Sequence, residues 1–101
     1  MNILIICAFG ASSGILKRKL KEEMENKGIK GTVEAYSVED LDNVINGKDI
    51  VLIAPQLRIS FDEICEQIAN KVPVYLIEPV DYGTMNASNI LDKSLKLVNK
   101  D

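Results

Sequence analysis

Cys7 closes an apolar run, Asn2-Ile3-Leu4-Ile5-Ile6-Cys7, and is followed at once by Ala8-Phe9-Gly10-Ala11-Ser12-Ser13-Gly14, a small, polar turn that opens a helix. Small residues let backbone N–H groups converge on one point, and the amino end of a helix adds partial positive charge there. A phosphate carried on sulfur or bound beside it is stabilised in such a place. The same field favours an anionic sulfur, the nucleophilic form, and so sets up covalent group transfer. The plainer reading of Cys7 is a buried structural thiol, since free cysteine packs like a small hydrophobe. Its place between an apolar strand and a Gly/Ser-rich turn into a helix favours the chemical reading.

Ser12 and Ser13 can donate hydroxyl hydrogen bonds to a phosphate or cap the first helix, and the two jobs are compatible. Cys65 falls on an apolar helical stripe with Ile64 and Ile68, where packing is the expected role. Lys17, Arg18, Lys19 and Lys21 form a basic cluster, but Glu22, Glu23 and Glu25 follow directly, as on a solvated helix face.

The composition narrows what else this thiol can work with. There is no histidine among the 101 residues, so the chain lacks the commonest metal ligand and the commonest neutral-pH acid–base group. Any histidine chemistry must come from a partner. The two cysteines are far apart and form no CxxC pair, which leaves a disulfide framework or zinc site without support; we expect neither metal nor cofactor. A net charge of -3 and the lack of a basic patch interleaved with aromatics argue against nucleic acid as a partner. The apolar start is too short to span a membrane and has no basic flank, so it reads as a strand, not a signal peptide, and a cytoplasmic protein is expected. Length and a hydrophobic content of 47% fit one domain over residues 1–101.

The elements that position Cys7 follow from periodicity. Ile15, Leu16, Leu20 and Met24 recur at helical spacing after the turn, and Gly28 is placed to end that helix. Val33 and Ala35 alternate with Thr32, Glu34 and Tyr36 as in a half-buried strand, and Ser37 with Asp40 announces a short helix through Ile45, closed by Gly47. Ile50-Val51-Leu52-Ile53-Ala54 is unbroken and branched, the pattern of a central parallel strand, and Pro55 stops it. Ser60 and Glu63 have capping-box spacing ahead of Phe61, Ile64, Cys65, Ile68 and Ala69. Val74 to Ile77 makes a fourth strand, a loop runs through Pro79 and Gly83, and Ile90, Leu91, Leu95 and Val98 mark a last helix.

Strands alternating with helices predict an α/β fold: a four-stranded parallel sheet with helices on both faces. Strand order 2-1-3-4 makes the winding reverse right after Cys7, and open α/β sheets bind ligands at that switch point. Pro55 and Gln56 after the third strand, with Asp81, Tyr82 and Gly83 after the fourth, lie at the same sheet end and are candidate rim residues.

Cys7-Ala8-Phe9-Gly10-Ala11-Ser12-Ser13, Ala54-Pro55-Gln56 and Tyr82-Gly83, in a chain of this size, resemble the IIB components of the lactose/cellobiose family of the bacterial sugar phosphotransferase system. The likeness spans the whole chain. It implies the same sheet with a phosphatase-like cysteine loop after the first strand. It also implies that Cys7 accepts a phosphoryl group from a phosphohistidine on the IIA component and passes it to a sugar during uptake through the membrane IIC component. Ala8, Phe9, Gly10, Ala11, Ser12, Ser13 and Gly14 would then surround the phosphate. The sugar would be a β-linked disaccharide such as cellobiose, chitobiose or lactose, and the chain would meet the inner membrane face transiently through IIC.

A second reading is a small cysteine phosphatase or arsenate reductase, which shares the sheet and an acidic residue in a later loop, here Asp81. Its signature needs arginine six positions after the cysteine, and Ser13 stands there. A third is a non-catalytic domain that only senses an anion.

Overall fold

Residues 3–7 are apolar without interruption, and a strand with no polar alternation has to be covered on both faces. In the computed structural model, β1 (Asn2–Cys7), β2 (Thr32–Ser37), β3 (Ile50–Ile53) and β4 (Val74–Leu76) form one parallel sheet in the order β2-β1-β3-β4. The structure describes residues 1–8, 10–69 and 71–99, with the backbone alone at 10–12. Ile3 pairs with Val33 on one side and Ile50 on the other, and the register runs on to Cys7 opposite Ser37.

The remaining elements are α1 (Gly10–Asn26), a 3-10 turn (Val38–Asp40) leading into α2 (Leu41–Val44), a 3-10 segment (Pro55–Ser60) leading into α3 (Phe61–Ile68), α4 (Pro79–Gly83) and α5 (Ala87–Val98). The twofold period of the strands sorts the core into two layers. Ile3, Ile5, Cys7, Ile50, Leu52 and Ala54 pack with Leu16, Leu20 and Met24 of α1 and Ile90 and Leu91 of α5. Leu4, Ile6, Val51 and Ile53 pack on the other face with Leu41, Ile64 and Ile68. The β1 residues Ile3 to Ile6 are wholly buried, each a contribution of roughly 1.5–3 kcal/mol.

The carboxyl end of α1 shows how the sequence stops a helix. Gly28 takes φ +70, Ile29 N–H reaches Met24 C=O at 2.8 Å and Gly28 N–H reaches Glu25 C=O at 3.1 Å. That pair of bonds satisfies carbonyls the helix leaves free, and Met24 and Ile29 meet in the same core layer.

Several local expectations are corrected. α1 starts at Gly10, so Ser12 and Ser13 lie inside its first turn and not at its cap. Ile15 is 45% exposed and off the buried stripe. The segment through Pro79 and Gly83 is the short helix α4, not a loop. Ser60 precedes α3 but makes no capping bond, because its φ of -91 and ψ of 4 continue the 3-10 turn into the helix. Cys65 is half-buried and outside both core layers. The last strand ends at Leu76, although Ile77 N–H still reaches Ile53 C=O at 2.9 Å.

Candidate functional site around Cys7

Order β2-β1-β3-β4 carries the chain from β1 to one side and later to the other, so the carboxyl end of β1 lies where the winding reverses. Cys7 is the last residue of that strand, 2% exposed, level with Ser37 of β2. On the other side Ala54 N–H donates to Ile6 C=O at 2.9 Å and continues the β3 ladder, so Pro55 and Gln56 leave the sheet beside Cys7. Strands flank the thiol on both sides and the core lies behind it.

Among the described residues, two groups lie within hydrogen-bonding reach of the sulfur. Ser13 Oγ lies 3.2 Å from Cys7 Sγ, and the Tyr36 carbonyl oxygen lies 3.7 Å away. The carbonyl only accepts, so a protonated sulfur donates to it, whereas the Ser13 hydroxyl can donate to sulfur or accept from it. Of these two, an anionic sulfur keeps the donation from Ser13. Ser13 is itself 1% exposed, one turn into α1, so its hydroxyl meets the sulfur below the surface. The 17 residues of α1 point their amino end at this region, with the partial positive charge that follows.

The other sequence-derived candidates are distributed as follows. Ala8 is half-buried beyond the strand; Phe9 lies outside the described residues, and Gly10, Ala11 and Ser12 are described by backbone only, in the first turn of α1. Gly14 is exposed, and a Cβ there would meet nothing within 4 Å. Pro55 is half-buried, while Gln56 and Gly83 are exposed. Tyr82 is 5% exposed in the core layer that contains Cys7. Asp81 is also 5% exposed, and its carboxylate accepts from Asn89 Nδ2 at 2.7 Å with Lys93 Nζ at 4.0 Å. Lys93 in turn donates to Glu78 at 3.0 Å, and that bond pushes its ammonium above the ordinary lysine value. Asp81 thus ties α4 to α5.

Sequence reasoning missed the Tyr36 carbonyl and the Lys93 bridge. A backbone acceptor carries no residue signature; only the register of β1 on β2 brings it to the sulfur. Among the described residues no three His, Cys, Asp or Glu side chains are grouped to hold a metal ion, and no helix is long and apolar enough to cross a membrane.

The second thiol is a useful contrast. Burial pushes the Cys65 thiol up, and the charge of Asp62 one turn earlier adds to the effect. Less thiolate at neutral pH means slower alkylation. Iodoacetamide should therefore modify Cys65 more slowly in the native protein than in urea, with the native rate climbing as pH rises past 8. Peptide mass spectrometry reads this directly, and equal native and unfolded rates would contradict it.

Comparison with known proteins gives one consistent picture. The sequence pattern of the family described as "PTS system, Lactose/Cellobiose specific IIB subunit" matches residues 2–93. The chain is 30% identical over 104 residues to the PTS system cellobiose-specific EIIB component of Lactococcus lactis subsp. lactis, covering 96% of this chain and 95% of that one. It is 29% identical over 100 residues to part of the PTS system lactose-specific EIICB component of Lacticaseibacillus casei, covering 97% of this chain and 17% of that protein. Among solved structures, the cellobiose-specific phosphotransferase IIB component from Borrelia burgdorferi superposes with a TM-score of 0.81 at 34% identity, covering 98% of this chain and 92% of that one.

Proposed function

The chain belongs to the lactose/cellobiose-specific IIB family of the sugar phosphotransferase system, and on that premise we propose that Cys7 carries the phosphoryl group. The observation that carries this reading is the sulfur at the switch point, at the carboxyl end of β1 where α1 follows, 3.2 Å from Ser13 Oγ. IIB components act with IIA and IIC components, and the family's chemistry is phosphotransfer to a sugar in uptake.

In the proposed relay a phosphoimidazole on IIA is brought to Cys7. The thiolate attacks phosphorus in line; the P–S bond forms as the P–N bond breaks, and the imidazole nitrogen takes up a proton. Charge spreads over three equatorial oxygens, and the free backbone N–H groups of residues 10–12 at the start of α1 with the Ser13 hydroxyl answer it. In the second step a sugar hydroxyl oxygen attacks the same phosphorus. The P–S bond breaks, the hydroxyl proton leaves to a base or water, and the thiolate returns. The sugar is a β-linked disaccharide bound in IIC, by analogy with the cellobiose and lactose relatives. The protein works on the cytoplasmic side, where IIC opens to it.

The test is intact mass after incubation with phosphoenolpyruvate, the general phosphotransfer proteins and a IIA subunit of this family. One added phosphoryl group, mapped to Cys7, is the expected result; no gain with any IIA of the family would overturn the reading.

The intermediate should also last. A phosphatase cleaves such a thiophosphate with water, using an arginine fork on the phosphoryl oxygens, and this chain has Ser13 at the position that fork requires. Purified phosphoprotein should lose its group slowly at neutral pH and quickly only with IIC membranes and the sugar, and aryl phosphates should turn over negligibly. Repeated aryl phosphate turnover that depends on Cys7 would make it a phosphatase instead.

A further inference from the structure

β2 is a marginal strand of the sheet, with β1 on one side and, among the described residues, no strand on the other. Thr32 N–H donates to the Met1 carbonyl at 3.1 Å and the Tyr36 carbonyl lies 3.7 Å from the Cys7 sulfur, so the even-numbered residues turn their backbone groups toward β1. Val33 and Ala35 therefore turn theirs outward, where an added strand would meet them. The helix above this margin is open on the same side. α1 packs on β1 and β2 and has α5 beside it, tied by Lys27 Nζ to Asp92 at 3.3 Å. Its opposite flank, with Arg18, Lys21, Glu22 and Glu25, lines a groove of about 850 Å³ together with Thr32 and Val33. The charges on that flank are sorted along the helix, basic first and acidic after. A row of this kind complements a copy of itself that runs the opposite way.

We propose that β2 is the pairing edge of a homodimer, in which β2 of a second copy runs antiparallel beside it about a twofold axis at Val33. A twofold contact requires a self-complementary surface, and the sorted charges on α1 supply one. Val33 exchanges both backbone hydrogen bonds with the partner's Val33, and Ala35 N–H reaches the partner's Gly31 carbonyl. In the single chain Lys21 Nζ occupies the Gly31 carbonyl, as lysine often guards a strand edge. In the dimer Lys21 turns instead to the partner's Glu22, and Arg18 meets the partner's Glu25. Glu34 falls opposite the partner's Thr32, so no like charges oppose each other across the strands, and it keeps Lys48 at 3.1 Å. Lys21 and Glu22 line the groove with Thr32 and Val33, so one axis serves helix and strand together. Two strand spacings of about 4.8 Å put the paired α1 helices roughly 10 Å apart, the distance at which helices pack. None of this depends on what Cys7 carries.

Two charge-reversed variants test the proposal, Arg18→Glu/Lys21→Glu and Glu22→Lys/Glu25→Lys. Arg18, Glu22 and Glu25 are exposed and Lys21 is half-buried, so both variants should fold, with a thermal melt as the check. One strand and one helix flank make a small interface, so sedimentation equilibrium belongs at roughly 0.1–1 mM protein and low salt. Wild type should exceed the monomer mass there, and each variant alone should associate about tenfold more weakly or less. An equimolar mixture of the two should recover, because every glutamate of one then meets a lysine or arginine of the other. Amide exchange at Val33 and Ala35 should slow as wild-type concentration rises, while Thr32, already bonded to Met1, should not respond. That measurement decides the matter even where a variant fails to fold. A wild type that stays monomeric at about 1 mM overturns the proposal. So does a mixture that fails to recover, and so does association that leaves the Val33 and Ala35 amides as fast as before. A monomeric wild type whose Arg18 and Lys21 reversal weakens binding of IIA or IIC also overturns it, and assigns the edge to that protein.

Discussion

Cys7→Ser should abolish phosphoryl transfer, by at least about three orders of magnitude, while the protein stays folded. The two halves of this result have different causes. A serine hydroxyl is not ionised near neutral pH, and nothing in the chain can take its proton as a histidine would. The alcohol is therefore a poor nucleophile however well the loop binds phosphate. The fold, by contrast, has partners ready for a hydroxyl. Ser13 Oγ and the Tyr36 carbonyl stand 3.2 and 3.7 Å from the sulfur, so an oxygen at the same place can donate to one and accept from the other. Replacing a thiol by a slightly smaller polar group should cost about 1 kcal/mol when its hydrogen bonds are met. Intact mass after the transfer assay and a thermal melt test both halves. A phosphorylated Cys7→Ser protein would remove Cys7 from the chemistry, and an unfolded one would give the cysteine a structural role instead.

Gly31→Ala should produce the largest loss of stability from a single added methyl. Gly31 holds φ +150, and a Cβ there would stand 1.7 Å from the Met1 carbonyl oxygen. That oxygen accepts from Thr32 N–H at 3.1 Å, the bond that leads into the β1–β2 ladder. An alanine must therefore leave this backbone region, which costs about 1–3 kcal/mol, and must also push the start of β1 away, which gives up about one hydrogen bond more. A combined loss of roughly 2–4 kcal/mol corresponds to a melting temperature lower by about 10 °C or more for a domain of this size. Gly14→Ala is the matched control, since its Cβ has open space inside a helix and should raise stability by about 0.5–1 kcal/mol. A Gly31→Ala protein melting within two or three degrees of wild type would show, roughly, that the Met1 end yields at no cost.

The parts of this fold that sequence reveals are those decided by long apolar runs. β1 and β3 have no polar alternation, which requires cover on both faces, hence a parallel sheet, hence a switch point at Cys7. What escaped was decided by contacts shorter than a period. Pro79 and Gly83 are turn residues by habit, yet proline at the first helical position is also a good start, and five residues show no periodicity to say which. Ser60 and Glu63 have the right spacing for a capping box, but the 3-10 turn before α3 leaves Ser60 no extended backbone from which to cap. Ser13 was legible in another way than the one used. It lies three residues before Leu16 on the stripe that continues to Leu20 and Met24, so its burial follows from the period of α1 itself. Ile15, one position off that stripe, is exposed for the same reason.

The central place of β1 has a consequence during synthesis. Ile3 pairs with Val33 and with Ile50, so β1 leaves the ribosome before either neighbour and finds neither until the chain has grown past both. Until then Asn2-Ile3-Leu4-Ile5-Ile6-Cys7 is a bare, branched segment with two unpaired edges and a free thiol at its end, the kind of stretch that self-associates. Non-local parallel pairing also forms late and slowly, because chain closure precedes any gain from contact. Rapid overproduction should thus drive this chain toward aggregates through β1, and cooler, slower expression under reducing conditions should return it to the soluble fraction.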